Sequence, residues 1–219
     1  MIYISYLLSL TNFLLNIIAI YKNKKELITY TRDITDIIIC SNKIILFSYY
    51  VYYNIDFTIP LSQLLLTQNA NINISNALTY NIIDYYSTSI IYLYEGNYEY
   101  LYHHIITIFC INVCQLYLYH VSTILSLLIF MISSPFFSLA KFFKHNNYEK
   151  SAKFTFIIFG ITFFICRILI FTYLFSISLF NEYYNTPQYY IINGAELLIY
   201  KMQLNWMYKI YKTIMNNYN

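Results

Sequence analysis

The stretch "FTFIIFGITFFICRILIFTYLFSISLF", residues 154–180, decides the fold. It runs for 27 residues with a single charge, Arg167, at its middle. About 20 predominantly apolar residues suffice to span the hydrocarbon core of a bilayer, so this is a membrane helix. Six further runs of the same kind fall at 2–21, 38–58, 76–94, 101–119, 121–142 and 189–212. Only short connections remain between them. The chain therefore reads as an all-α polytopic membrane protein with about seven transmembrane helices and no room for a soluble domain. Composition agrees: 59% of residues are hydrophobic and 11% charged, against about 25% charged in a soluble domain. The surplus of Tyr, Phe, Ile and Asn fits AT-rich coding, and many of the 28 tyrosines suit the membrane interfaces. The first run lacks a basic leader and a small-residue cleavage site before "YKNKK" (21–25), so residues 1–21 read as a retained N-terminal transmembrane helix.

Several functions are disfavoured at once. The net charge of +3 is small and tied to the connections, so nucleic acid is not an expected partner. There is no glycine-rich phosphate loop and no GxSxG, HExxH or kinase signature. Cys110 and Cys114 share a helix face but lack a second ligand pair at zinc-site spacing. With Cys40 and Cys166 they read as small core residues, and neither a metal nor a resident cofactor is expected.

Basic residues outside the runs fall in alternate connections. Lys22, Lys24, Lys25 and Arg32 occupy the first, Lys144, Lys150 and Lys153 the fifth, and Lys209 and Lys212 the C-terminal end. The second, fourth and sixth hold none; the third, "EGNY" (95–98), is acidic. The positive-inside rule then predicts a lumenal N-terminus and a cytosolic C-terminus. The sequon Asn73-Ile74-Ser75 falls in the second, lumenal connection.

Ionisable groups at membrane depth cost about 2.5–3.5 kcal/mol each at a helix centre and are functional candidates by default. Asp84 lies within "YNIIDYYSTSII" (80–91), Arg167 within the opening stretch, and Glu196 within "NGAELLIYK" (193–201). Asp84 or Glu196 could pair with Arg167 and fix helix register, while Lys43 and Lys201 are expected to run their stems along the helix and snorkel. His103 and His104 open the run "YLYHHIITIFC". Adjacent helical residues point about 100° apart, so each imidazole needs its own surroundings. Thr107 is i+4 from one and i+3 from the other, within reach of either ring. Two readings stand: an interfacial pair bonding water and phosphate, or imidazoles that move protons or attack an ester, amide or thioester.

Five stretches, in order, resemble the TLC domain. They are "ALTYNIIDYYS" (77–87) with Tyr80 and Asp84, "YLYHHIITIF" (100–109) with the His-His core, "MISSPFFSLAKFF" (131–143), "FFICRILIF" (163–171) with Arg167, and "LNWMYKIYK" (204–212) with Asn205 and Trp206. The resemblance covers about residues 37–214 and implies a domain there. Its last six helices would form a bundle around a lipid-accessible cavity. In ceramide synthases the His-His pattern is followed by a later run of His, Asp, Asp and Glu. Here those positions hold Phe130, Met131, Ser134 and Ser138, although Ser133 and Lys141 are kept. The smaller TLC proteins fit better, through Asp84, the His pair, Ser133, Pro135, Phe136, Arg167, Asn205 and Trp206. Met131 stands where they carry Glu, and Lys141 where they carry Arg.

The resemblance implies a role in lipid homeostasis, with membrane lipids as partners and the endoplasmic reticulum or a related membrane as location. Any catalysis falls to His103 and His104, and the polar cavity set is Asp84, Thr107, Ser133, Arg167, Glu196, Asn205 and Trp206. The alternatives are an N-acyltransferase drawing on acyl-CoA as co-substrate, and a transporter or channel. The last calls for paired Gly or Pro interruptions, of which the runs show only Gly160 and Gly194.

Overall fold

The computed structural model describes residues 2–21, 25–56, 58–60, 63, 72–117, 120–179 and 187–216. Among these, every regular element is helical: α1 (Ile2–Tyr21), α2 (Lys25–Asn54), α3 (Ile72–Glu95), α4 (Tyr98–Leu116), α5 (His120–Ile132), α6 (Ser134–His145), α7 (Glu149–Phe163), a π-helical stretch (Phe164–Ile170), α8 (Phe171–Leu179) and α9 (Pro187–Asn216). α5 and α6 join end to end, as do α7, the π stretch and α8, so the elements make seven rods.

The rods follow the apolar runs, with three differences. α2 begins at Lys25 rather than near 38, because the charges that hide its first turns from a hydropathy reading have partners. Arg32 bonds Glu95 of α3, and Asp33, fully buried, faces His145 of α6 at 2.8 Å. The fifth run is broken at Ser133, where Pro135, lacking an amide hydrogen, sits in the first turn of α6. The sequon expected in a connection lies instead in the first turn of α3; the side chain of Asn73, like Lys22 and Lys24, lies outside the described residues.

Two connections are tight helix endings. After α3, Gly96 takes φ +69°, and the amides of Gly96 and Asn97 bond Leu93 and Tyr92. After α6, Asn147 takes φ 62°, and the amides of Asn147 and Tyr148 bond Lys144 and Phe143. Both are left-handed caps that satisfy the last helix carbonyls.

Among the described residues, three helices are long and apolar enough to cross a membrane on length and composition alone: Arg32–Tyr53, Thr123–His145 and Glu149–Ile177. The third and seventh rods carry Asn81, Asp84, Glu196 and Lys201, which lower their average hydropathy. Polarity is nevertheless inverted relative to a soluble protein. Leu7, Ile45, Ile90, Phe109, Ile161, Leu169 and Leu197 face outward, while Lys43, Asp84, both histidines, Arg167 and Gln203 are buried. Such a surface suits hydrocarbon and not water.

The second to seventh rods close a ring in the order second, fifth, sixth, seventh, fourth, third. α1 packs outside it, against α2 and α3. Ile106, Phe130, Phe171, Phe175, Ala195 and Ile199, from four rods, plug the interior at one level. Toward the end that carries residues 96–97, 146–148 and the C-terminal turns, the ring stays open inside.

Candidate functional site

That open interior is a cavity of 410 Å³. All six ring rods line it: Asp36, Cys40 and Lys43 from α2; Asp84, Tyr85, Thr88 and Tyr92 from α3; Tyr100, His103 and His104 from α4. Phe130 and Met131 from α5, Ser134, Phe137, Ser138 and Lys141 from α6, and Phe156, Phe159 and Phe163 from α7 continue the wall. Arg167 and, from α9, Trp206, Lys209, Ile210 and Thr213 complete it.

At the deep end, Lys43 forms a buried ion pair with Asp84, whose other oxygen accepts from Ser9 of α1 at 3.3 Å. The ammonium also sits over the rings of Tyr80 and Tyr85, at 5.5 and 5.2 Å. The snorkelling expected of Lys43 is thus corrected: a carboxylate on the adjoining helix holds it inside. Lys201 is exposed.

Arg167 pairs with neither Asp84 nor Glu196. Its Nε–H donates to Ser133 at 2.8 Å, one terminal nitrogen to Ser134 at 2.8 Å and the other to Gln203 at 3.4 Å. Phe163 and Phe130 lie 5.0 and 5.8 Å from the guanidinium. The break between α5 and α6 turns both serine hydroxyls toward Arg167, with Phe130's carbonyl accepting from each at 3.5 and 3.4 Å.

The histidines are both buried, 8% exposed, and both face the cavity. His104 Nδ1 has three oxygens around it: the Tyr85 carbonyl at 3.3 Å, Thr88 Oγ1 at 3.1 Å and Ser89 Oγ at 3.4 Å. Both hydroxyls already donate to carbonyls, Thr88 to that of Asp84 and Ser89 to that of Tyr85. Every neighbour is therefore an acceptor, so Nδ1 carries the proton and the lone pair belongs to Nε2. His103 stands edge-on to Trp206 with centroids 5.0 Å apart, and its Nδ1 is buried with no partner among the described residues. Trp206 stacks on Tyr100 and donates from Nε1 to Glu99 at 2.6 Å, and Lys209 closes on the same carboxylate.

The remaining expected site residues fall elsewhere. Thr107 is buried, but its hydroxyl bonds the His103 carbonyl at 2.8 Å and not an imidazole, the usual satisfaction of a helix-borne threonine. Asn205 is exposed, because one step along α9 from Trp206 turns it about 100° outward. Glu196 lies ten residues before Trp206, about 15 Å up the helix, and is not on the cavity wall. Ser133 is fully buried and acts through Arg167.

Sequence reasoning missed Lys43, Ser134 and Gln203 as site residues. Spacing carried a signal for the first: Asp36, Cys40 and Lys43 recur at i, i+4 and i+7, one helix face. Gln203 likewise shares a face with Trp206 and Ile210.

An apolar-surfaced helical ring whose interior cavity encloses buried charges defines a class of integral membrane protein. Within that class the chain belongs to the TLC domain family, whose model matches residues 1–212, a span that reaches into all seven rods and stops four residues short of the end of α9. The family is membrane-associated and linked to lipid metabolism. No curated protein matches the chain.

Proposed function

We propose that this protein binds a membrane lipid in its interior cavity and acts in lipid homeostasis, without itself turning the lipid over. The observation that carries this reading is the mixed wall: the rings of Phe137, Phe156, Phe159 and Phe163 together with the buried histidines, Arg167 and the Lys43–Asp84 ion pair, in 410 Å³. Ligand pockets commonly enclose about 300–1,000 Å³ and combine a mainly apolar lining with a few placed polar groups. A binding role is favoured because neither imidazole bonds a carboxylate among the described residues. Asp84 is taken up by Lys43, and Met131 stands where the smaller relatives carry Glu. His104 is oriented by neutral oxygens alone, so as a general base it lacks the carboxylate that would raise its basicity. The cavity occupies the half of the bundle that bears the basic connections, so the positive-inside rule puts it toward the cytosol. An endoplasmic reticulum or related membrane is the matching location.

A second reading, acyl transfer from a coenzyme A thioester, draws support from one observation: the lone pair of His104 is held on Nε2 by the bonds at Nδ1. Lipid mass spectrometry on protein purified in nanodiscs separates the two. Binding predicts co-purified lipid above the bulk composition, lost when Ser138→Trp fills the cavity and largely kept in His104→Ala. Acyl transfer predicts new acylated lipid in expressing cells that disappears in His104→Ala. Lipid content at bulk composition in the wild type would remove the basis of both.

A further inference from the structure

Of the four cations on the cavity wall, Arg167 alone has no carboxylate partner among the described residues. Lys43 is paired with Asp84 and Lys209 with Glu99. Lys141 faces Asp33, and Asp36 stands on the same wall near Lys141 and Arg32. A guanidinium presents five N–H donors. Three are used, on Ser133, Ser134 and Gln203, all neutral acceptors. Two remain among the described residues, one on each terminal nitrogen, and an oxyanion is the acceptor a guanidinium holds most strongly. Arg167 is 9% exposed and lines the cavity, and a buried charge without a counter-charge is costly unless something completes it. His103 Nδ1, a buried nitrogen without a partner among the described residues, lines the same cavity. The residue also sits mid-way along the π-helical stretch, an irregularity frequent at functional sites. From the guanidinium a strip of rings leads away: Phe163 beneath it, then Phe159 at 5.6 Å and Phe137 a further 4.8 Å on, each on the cavity wall.

We propose that Arg167 is an anion site and that the cavity takes an acidic amphiphile, its oxyanion head, carboxylate or phosphate, on Arg167 and its apolar chain along Phe163, Phe159 and Phe137. This rests on the lipid-binding reading above and narrows it to a charge class.

The test is equilibrium binding of radiolabelled oleate, oleoyl-lysophosphatidate and oleyl alcohol to the full chain in nanodiscs. The wild type should hold at least one of the two acids roughly tenfold or more tighter than the alcohol, the scale of a charge-assisted contact. Whichever acid binds tighter names the head. Arg167→Gln should bring acid and alcohol within about twofold of each other, since only the charge-specific part is removed. If Arg167→Gln is not monodisperse, Arg167→Lys, which keeps the charge and loses the guanidinium, carries the test. A preference cut severalfold supports the site, and an unchanged preference overturns it. Equal binding of acid and alcohol by the wild type, with both lost in Ser138→Trp, overturns the anion site and leaves the lipid cavity standing. Displacement of bound acid by inorganic phosphate at equal concentration overturns the amphiphile in favour of a free-anion site. No binding of any of the three sinks the site and the lipid reading together.

Discussion

Removing one member of the Lys43–Asp84 pair should cost far more than removing both. Lys43 is 3% and Asp84 6% exposed, so either single change strands a charge in the bundle. Breaking a buried ion pair in this way costs about 3–5 kcal/mol, whereas replacing both members by apolar residues of similar volume is often neutral. The surroundings order the two single variants. In Asp84→Leu the ammonium keeps the faces of Tyr80 and Tyr85, worth about 1–2 kcal/mol where water is excluded, which places this variant near the lower end. In Lys43→Leu the carboxylate keeps only the Ser9 hydroxyl, at 3.3 Å, and the loss should approach the upper end. Lys43→Leu/Asp84→Leu should return to within about 1 kcal/mol of the wild type.

Trp206 is the chain's one tryptophan and is buried against Tyr100 and His103, so its fluorescence reports unfolding in nanodiscs. For a chain of this size each kcal/mol moves Tm by about 2–4 °C, so the single variants should melt roughly 10 °C low. Single variants that melt with the wild type, or a double variant that loses the sum of the two, would show that the pair does not clamp α2 to α3.

Trp206→Phe keeps the stack on Tyr100 but loses the bond to Glu99; followed by circular dichroism, it should cost about 1–3 kcal/mol. A Cβ at Gly160 would approach Ile214 Cδ1 at 2.9 Å and Ile210 Cγ2 at 3.2 Å. Ile214 Cδ1 is the end of a flexible side chain, but Ile210 Cγ2 is a branch methyl on a buried, stiff residue and must give by a few tenths of an ångström. Thermal melts should therefore show Gly160→Ala down by less than about 1 kcal/mol and Gly160→Leu by about 1–3 kcal/mol as α7 is pushed off α9. At the two left-handed caps the same melts should move in opposite directions by about 1 kcal/mol. Gly96→Ala, where open space surrounds the new methyl, destabilises through φ alone, and Asn147→Gly stabilises.

Much of the fold could be read along the chain, because lipid leaves long apolar runs unambiguous and each run became a rod. The start of α2 could not be, since Arg32, Asp33 and Asp36 look like a loop until their partners on α3 and α6 are known. The site divides in the same manner. His103, His104, Asp84 and Arg167 announce themselves as polar groups in apolar surroundings, where solvation makes them expensive. Which group each one meets, from Thr88 16 positions from His104 to Trp206 103 positions from His103, is a matter of how the rods rotate against one another, and one sequence does not encode that locally. Asp84 has two plausible cations along the chain, Lys43 and Arg167, and the choice follows from α2 and α3 being neighbours. Asn205 and Glu196 illustrate the reverse: both are polar and in the right segment, yet helix phase turns the first out of the cavity and the second stands about 15 Å beyond it along α9.

The π-helical stretch gives this bundle an offset in residue count within a single rod. A wide turn accommodates a residue that an α-helix has no place for, and the parts of the rod before Phe164 and after Ile170 keep their own neighbours: Phe159 and Phe163 pack on Trp206 and Ile210, Phe171 and Phe175 on Ala195 and Ile199. The wide turn thus absorbs one residue without rotating the helix on either side. Deleting one residue between 164 and 170 would let the stretch rewind as α-helix and leave α7 and α8 facing the neighbours they have, while the wide turn that carries Arg167 would be lost. The rod would keep its packing and lose the local geometry of the one charge in its apolar run.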